Sequence, residues 1–401
     1  MTAPLDGIRV LELNRVAPGS LCTMMLGDMG ADVLRLETPP RRGGTKAFDG
    51  GDDDTWALSE FANRNKRSIN LDLKDPRGQQ VLHALAADFD VVVEGFRPMV
   101  TARLGADYAT LGAINPRLVY CSLSGFGQNG PDRDRAGHDL NYLAIAGVLG
   151  QLGSGDGPPP IPLNLIADYA GASLHGVIGI LLALLARDRT GRGQHVDVAY
   201  LDTAFALLMA VPGVRECLIG GAPAVPGGNV FAGEHPYYSV YRTRDDRWLS
   251  VGCMEPWLWD NFCDAVGCAD LKPARMRHAD FAAPPTAAQQ KARRELVAVM
   301  RTRTLAEWKT LFADIDVCIG EVNDIGEALA DPQLRARGMV VARDDPRVPG
   351  ASQPGIAIKL SDTPGRIRTP PPVPGADTDA VLRGLGYDAT AIAGLRDDGV
   401  I

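Results

Sequence analysis

Two residues suited to moving a proton stand at helix entrances. His138 follows Gly137 in AGHDLNYLAIAGVLG, and Asp168 ends the run PLNLIAD, ahead of Ala170, Gly171, Ala172 and Ser173. The positive end of a helix dipole lowers an imidazole's pKa and keeps it neutral, the form that accepts a proton. The same field keeps a carboxylate ionised, ready as base or nucleophile, and the small residues after Asp168 let a ligand approach the backbone closely. Glu255, before Pro256 in VGCMEPWLW, is a third candidate. Arg97 in EGFRPMV lies just past the carboxyl end of a strand pattern, where open α/β sheets take their ligands. Each also has an ordinary reading: a packed histidine, helix caps for Asp168 and Glu255, a surface arginine. Asp139 needs no more than its place in a first helical turn, and the basic run NRNKRS (63–68) reads as a solvated loop. Residue types alone leave the function open.

Composition narrows it by exclusion. The 401 residues are 45% hydrophobic and 22% charged, with a net charge of −8. That balance suits neither nucleic acid nor an anionic membrane as partner, so an anionic ligand must be held by local cations. The seven cysteines (22, 121, 217, 253, 263, 268, 318) are scattered, without a C-x-x-C pair or a histidine at zinc-binding spacing, which reads as reduced thiols in a cytoplasm. The opening MTAPLDGIRVLEL enters a strand pattern with no basic, then apolar, leader. The longest apolar run, LHGVIGILLALLA (174–186), is too short to cross a bilayer and reads as a buried helix. The first βα turn, ELNRVAPGS, lacks G-x-G-x-x-G, and the P-loop, G-x-S-x-G and H-E-x-x-H are missing from the chain, which leaves dinucleotide binding at that turn, P-loop phosphate binding and the common hydrolase signatures unsupported.

The elements that must position these side chains alternate. Apolar β-rich runs at 8–13, 31–37, 67–73, 90–96, 117–123 and 194–200 are separated by helical patterns, one opened by Asp75 and Pro76. This predicts an α/β fold: a Rossmann-like large domain over 1–220 with an open, mostly parallel sheet. The Gly/Pro-rich GGAPAVPGGNVFAGEHP then marks a boundary, and a smaller α+β domain with linkers follows over 221–339. There YYSVYRTRDDRWLSVGCM alternates as a hairpin turning at Asp245 and Asp246, with three helical segments after it. The tail, 340–401, reads as too Pro-rich for regular elements and is expected to wrap back over the large domain.

The ordered set LDGIRVLEL...APGSLCTMMLGDMGADVLRLE, NRNKRSINLDLK, EGFRPMV, NPRLVYCSLSGFGQNGP, AGHDLNY, PLNLIADYAG, RTGRGQHVDVAYLD and VGCMEP resembles the family III CoA-transferase superfamily, and within it the α-methylacyl-CoA racemases. The resemblance implies an interlocked homodimer whose active site lies between the large domain of one subunit and the small domain of the other. It implies that His138 and Asp168 are the two acid/base groups and that Glu255 orients the histidine. Lys74, Arg97, Asp139, Tyr142 and Asn164 fall on positions that contact CoA. Where racemases carry a basic residue that stacks on adenine this chain has Thr38, with Arg41 or Arg42 nearby as substitutes. The loop reads GEHPYY in place of GGAPYY, which brings Glu234 and His235 near the site, and the acidic stretch RRGGTKAFDGGDDDTWALSEF matches CoA-transferases in length.

Two bases make chemical sense. Inverting a carbon α to a thioester means taking a proton from one face and returning it to the other, and a single base would only exchange it with retention. The resemblance therefore implies interconversion of (R)- and (S)-2-methylacyl-CoA through an enolate, stabilised by backbone N–H groups near Asp168 and by protonated His138. CoA is part of the substrate, and no metal, nicotinamide or pyridoxal phosphate is called for. The alternative is a CoA-transferase in which Asp168 attacks the thioester and forms a mixed anhydride. A catalytically silent CoA-ester binding protein is the third reading.

Overall fold

The structure, a computed structural model, describes residues 2–13, 17–42, 61–155 and 157–401. By internal contacts these form two compact units, one of residues 1–142, 163–204 and 331–401, the other of 143–162 and 205–330. Residues 143–162 and 205–220, expected with the large domain, group with the second unit, and the tail joins the first from Asp331.

The first unit is built on six parallel strands: β1 (Arg9–Glu12), β2 (Asp32–Glu37), β3 (Lys66–Asn70), β4 (Val91–Glu94), β5 (Val119–Ser124) and β6 (His195–Ala199). The run Val91, Val92, Val93 is fully buried, as a central parallel strand covered on both faces requires. Helices α1 (Ala17–Asp28) and α2 (Pro76–Asp88) form between the strands. The entrance of α2 follows from sequence: Asp75 accepts a hydrogen bond from the Arg77 amide at 2.9 Å, and Pro76 gives up an N–H that would have had no partner. The strand order is β3-β2-β1-β4-β5-β6. Chain direction across the sheet therefore reverses between β1 and β4, so the loops leaving their carboxyl ends diverge and open a crevice.

The basic run at 63–68 is not a solvated loop. Arg64 and Lys66 are buried, Arg64 paired with Asp28 at 2.6 Å and Lys66 with Glu12 at 2.8 Å, and Ser20 and Thr23 also bond Glu12. Charge density in the sequence says nothing about partners more than thirty residues away, and here each cation meets a carboxylate that neutralises it. The tail is also more regular than its prolines suggest. It adds a two-stranded ribbon of β10 (Val340–Ala342) and β11 (Ser352–Pro354) and two terminal helices, Thr378–Gly384 and Ala389–Asp397. Val381, Leu382, Ile392, Leu395, Val400 and Ile401 enter the same core as Leu11, Leu34 and Phe89. The prolines end near residue 374, and beyond them apolar residues recur at helical spacing behind the Asp388 cap.

Three further helices matter to the site: α3 (Asp139–Ile145), α4 (His175–Thr190) and α5 (Tyr200–Leu207). A π-helical segment, Leu165–Leu174, runs into α4 without a break. Together they make a helix of 26 residues, Leu165–Thr190, long and apolar enough to cross a membrane, so the apolar run is not the short isolated segment the sequence suggests. It packs against α1, β5 and β6, while Leu165, Leu174, Ile178, Leu182 and Leu185 stay exposed.

The second unit holds a three-stranded sheet of β7 (Tyr238–Arg242), β8 (Trp248–Gly252) and β9 (Ile319–Glu321), the first two being the predicted hairpin. Helix α6 (Pro256–Ala265), α7 (Ala287–Met300) and α8 (Leu305–Phe312) supply its core, where Trp259, Phe262, Phe312 and Trp308 stack in series with ring centroids 5.7 Å apart.

Candidate active site

Two cavities open at the carboxyl edge of the six-stranded sheet, one on each side of the β1/β4 reversal. The smaller, about 400 Å³, is lined by the turn Gly95–Pro98 after β4, by Ser124 and Gly125 at the end of β5, by Arg133 and Arg135, and by Gly137, His138, Asn141, Tyr142, Asp168 and Tyr200. The larger, about 890 Å³, is lined from the ends of β2 and β3 by Glu37, Thr38, Arg42, Asp72, Lys74 and Asp75, with Arg103 across from them. Phe96 lines both.

His138 is the residue before α3. Its backbone N–H donates to Asn141 Oδ1 at 3.0 Å, while its carbonyl accepts from the Asn141 and Tyr142 amides. Tyr142, buried, donates its hydroxyl to the Gly137 carbonyl at 2.6 Å and clamps the turn that carries the histidine. Gly137 is needed for that approach, since a Cβ there would lie 2.7 Å from the Tyr142 ring. The imidazole is exposed and, among the described residues, has no hydrogen-bond partner.

Asp168 sits in the first turn of the π-helical segment, half-buried, accepting from Asn164 Nδ2 at 3.2 Å. Burial raises its carboxyl above the usual range. The Asn164 bond and the His138 charge pull it down, and the Asp139 charge adds to the rise. His138 and Asp168 line one cavity, and the charge of the first acts on the carboxyl of the second. They are joined through Asp139, whose buried carboxylate does not stay in its own helix: Oδ2 accepts from the Ala167 and Asp168 amides at 2.8 and 2.9 Å. One side chain so caps the second helix mouth while its own backbone opens the first. Of the backbone N–H groups near Asp168 expected to serve an enolate, these two already donate to Asp139.

The remaining candidates separate. Arg97 and Tyr142 line the smaller cavity, and the Tyr142 phenol is pushed up to about 12 by burial and by Asp168, against the pull of Arg97. Lys74 and Arg42 line the larger one, where Arg42 pairs with Asp72 at 3.3 Å. Asn164 is exposed beside Asp168, the side chain of Arg41 lies outside the described residues, and so do all the acidic residues between 43 and 60. Glu255 belongs to the second unit and is not a lining residue of either cavity. It precedes α6 but its exposed side chain caps nothing there. In the same unit His235 is fully buried against Tyr237, with neither ring nitrogen bonded, and burial lowers its pKa. Glu234 lies 3.7 Å from Arg293.

Sequence reasoning passed over two residues. Glu94 ends β4 at the reversal, buried, with its carboxyl pushed up to about 7 chiefly by burial. It accepts from the Phe96 amide at 2.8 Å and from Ser122, whose hydroxyl also meets His195 Nε2 at 2.9 Å. Glu94 thereby fixes the turn shared by both cavities. Tyr200 follows β6 directly and also reaches the smaller cavity. The signal available for both was position alone: a polar residue at the carboxyl end of a strand.

Comparison with known proteins places this geometry among others. The model for CoA-transferase family III matches residues 5–378. The α-methylacyl-CoA racemase of Homo sapiens is 33% identical over 398 residues, covering 99% of this chain and 97% of its own. The succinyl-CoA:glutarate CoA-transferase of Mus musculus is likewise 33% identical, over 99% of this chain and 90% of its own. A crystal structure of a CAIB/BAIF family protein from Brucella suis superposes with a TM-score of 0.80 at 29% identity, covering 96% of this chain and all of that one.

Proposed function

Because this chain belongs to CoA-transferase family III, we propose that it is an enzyme of CoA thioesters and that its reaction is the interconversion of (R)- and (S)-2-methylacyl-CoA. The observation that carries this reading is the sharing of one cavity by His138 and Asp168, each at its own helix mouth. A group on each side of a carbon is what inversion needs. In one direction the Asp168 carboxylate takes the α-proton, the electron pair passes to the thioester oxygen as an enolate, and the His138 imidazolium returns a proton to the opposite face. The turnover leaves Asp168 protonated and His138 neutral, the state that runs the reaction backwards. The raised Asp168 pKa supports the assignment, since it makes the carboxylate a stronger base than a solvated aspartate.

The larger cavity is the natural seat of the CoA nucleotide, because Arg42, Lys74 and Arg103 supply the local cations that a protein of net charge −8 must gather for a phosphate ligand. Phe96 and Arg97 then lead toward the thioester. Glu255 enters as the group that orients His138 if a second copy contributes its second unit, as an interlocked homodimer would. The exposed Leu165, Ile178, Leu182 and Leu185 are the kind of surface such a partner covers, and seven free thiols suit a cytoplasmic setting. Light scattering is then expected to return twice the 42.7 kDa chain mass. No resident cofactor enters this scheme.

The 33% identity to a CoA-transferase supports a second reading, in which Asp168 is a nucleophile. One experiment separates the two. In deuterium oxide, with no acceptor acid present, label enters the α-position of 2-methylacyl-CoA and the epimers interconvert if the enzyme is a racemase. CoA that moves to an added carboxylate without any label entering establishes the transferase instead.

A further inference from the structure

The site as built has two groups to move a proton, and Asp139 has taken the Ala167 and Asp168 amides at one helix mouth. We propose that the Tyr200 hydroxyl donates a hydrogen bond to the thioester carbonyl oxygen of the bound acyl-CoA. This rests on the CoA-thioester reading above and goes beyond it by assigning a catalytic group.

Tyr200 is the first residue of α5, directly after β6, so its backbone is fixed by the sheet edge and by the bond from the Leu201 amide to the Gly125 carbonyl at 3.1 Å. Its ring meets Tyr142 edge-on, with centroids 5.3 Å apart, and it lines the cavity that holds His138 and Asp168. Only 6% of the residue is exposed, and among the described residues its hydroxyl has no hydrogen-bond partner. Burial raises its pKa, as do the charges of Asp168 and Glu94, so the phenol keeps its proton and acts as a donor. The thioester is what brings the acceptor. Its carbonyl oxygen becomes anionic whether the α-proton is removed to give an enolate or a carboxylate adds to the carbonyl. A fixed donor is worth most at that moment.

The test is Tyr200→Phe, which removes one oxygen and no packing. The expected result is a fall of about 10²-fold in kcat for α-deuterium exchange or CoA transfer, with KM and the affinity for free CoA within twofold of wild type. Binding gives an independent readout. Wild type is expected to prefer an acyl-CoA thioester over the S-alkyl-CoA thioether that lacks the carbonyl, and Tyr200→Phe to lose most of that preference. Unchanged kcat and unchanged preference in an otherwise active enzyme overturn the assignment of Tyr200 alone, as does a loss confined to CoA affinity. Wild-type protein that neither exchanges the α-proton nor transfers CoA brings down the reading on which it rests. Should Tyr200→Phe not fold, 3-fluorotyrosine at position 200 keeps the ring and makes the hydroxyl more acidic, and kcat is expected to change with it. An unchanged kcat there counts against the proposal.

Discussion

The two cavities at the sheet edge share Phe96 and the reversal point between β1 and β4, yet they are built from different materials. The larger gathers cations on short turns after β2 and β3, with Arg42 braced by Asp72 and Lys74 exposed. The smaller places acids, an imidazole and two tyrosines at helix mouths locked by side-chain bonds: Tyr142 to Gly137, Asp139 to Ala167 and Asp168, Asn164 to Asp168. Exposed cations tolerate small displacements because their attraction falls off slowly. A proton-transfer group does not, so its backbone is held on both sides. Under the proposed function one edge of one sheet separates holding from reacting, and mutations in the two regions are then expected to divide between KM and kcat.

The largest effect belongs to the smaller cavity. Asp168→Asn removes a base without changing shape and is expected to lower kcat for racemisation by about 10³-fold with KM within a few-fold, as read by steady-state kinetics. A loss appearing in KM alone would break the comparison at its centre. Next, Asp139→Ala leaves the Ala167 amide buried and unpaired, at a cost of about 1–3 kcal/mol. It is expected to cut kcat some 10- to 100-fold while lowering Tm by several degrees, and Asp139→Asn, which keeps one acceptor oxygen, should recover most of both. On the other side, Lys74→Ala is expected to raise KM about tenfold and leave kcat unchanged, with the difference shrinking at high salt. A Lys74 variant whose kcat fell instead would place the reacting end of the substrate in the larger cavity.

The last effect concerns the shared turn and falls on stability, not on turnover. Burial pushes the Glu94 carboxyl from its ordinary 4.5 up to about 7, so between these pH values the native state binds the extra proton. Stability contributed by this group is therefore present in full below about pH 4.5 and lost as pH rises toward and through 7, on the order of 3 kcal/mol at most. Glu94→Gln, neutral throughout, is expected to flatten that fall in denaturant titrations between pH 5 and 8. A wild-type curve whose slope the variant leaves unchanged would mean the carboxyl is ionised when buried.

How much of this was legible in sequence depends on the range of the interaction. The parallel sheet, the Asp75 cap and the hairpin at Asp245–Asp246 were readable because strand period, caps and turns act within a few residues. His138 and Asp168 were readable as residue types at helix starts, and the family resemblance to racemases and CoA-transferases holds. What sequence hid was where side chains go. Asp139 caps a helix twenty-nine residues away, and Lys66 and Arg64 bury themselves against Glu12 and Asp28. In the tail, prolines masked two terminal helices whose apolar residues complete the first core. None of these partners lies within one helical turn.

The central claim is that His138 and Asp168 act on opposite faces of one carbon, and epimer-resolved exchange tests it most directly. Each pure epimer of 2-methylacyl-CoA is incubated in deuterium oxide with His138→Ala or with Asp168→Asn, and α-deuterium is read by mass spectrometry before any inversion. The account predicts mirror-image behaviour: each variant stops inverting, still exchanges one epimer with retention, and loses the other, the surviving epimer differing between the two. Equal loss from both epimers in both variants, or exchange untouched by His138→Ala, would contradict it.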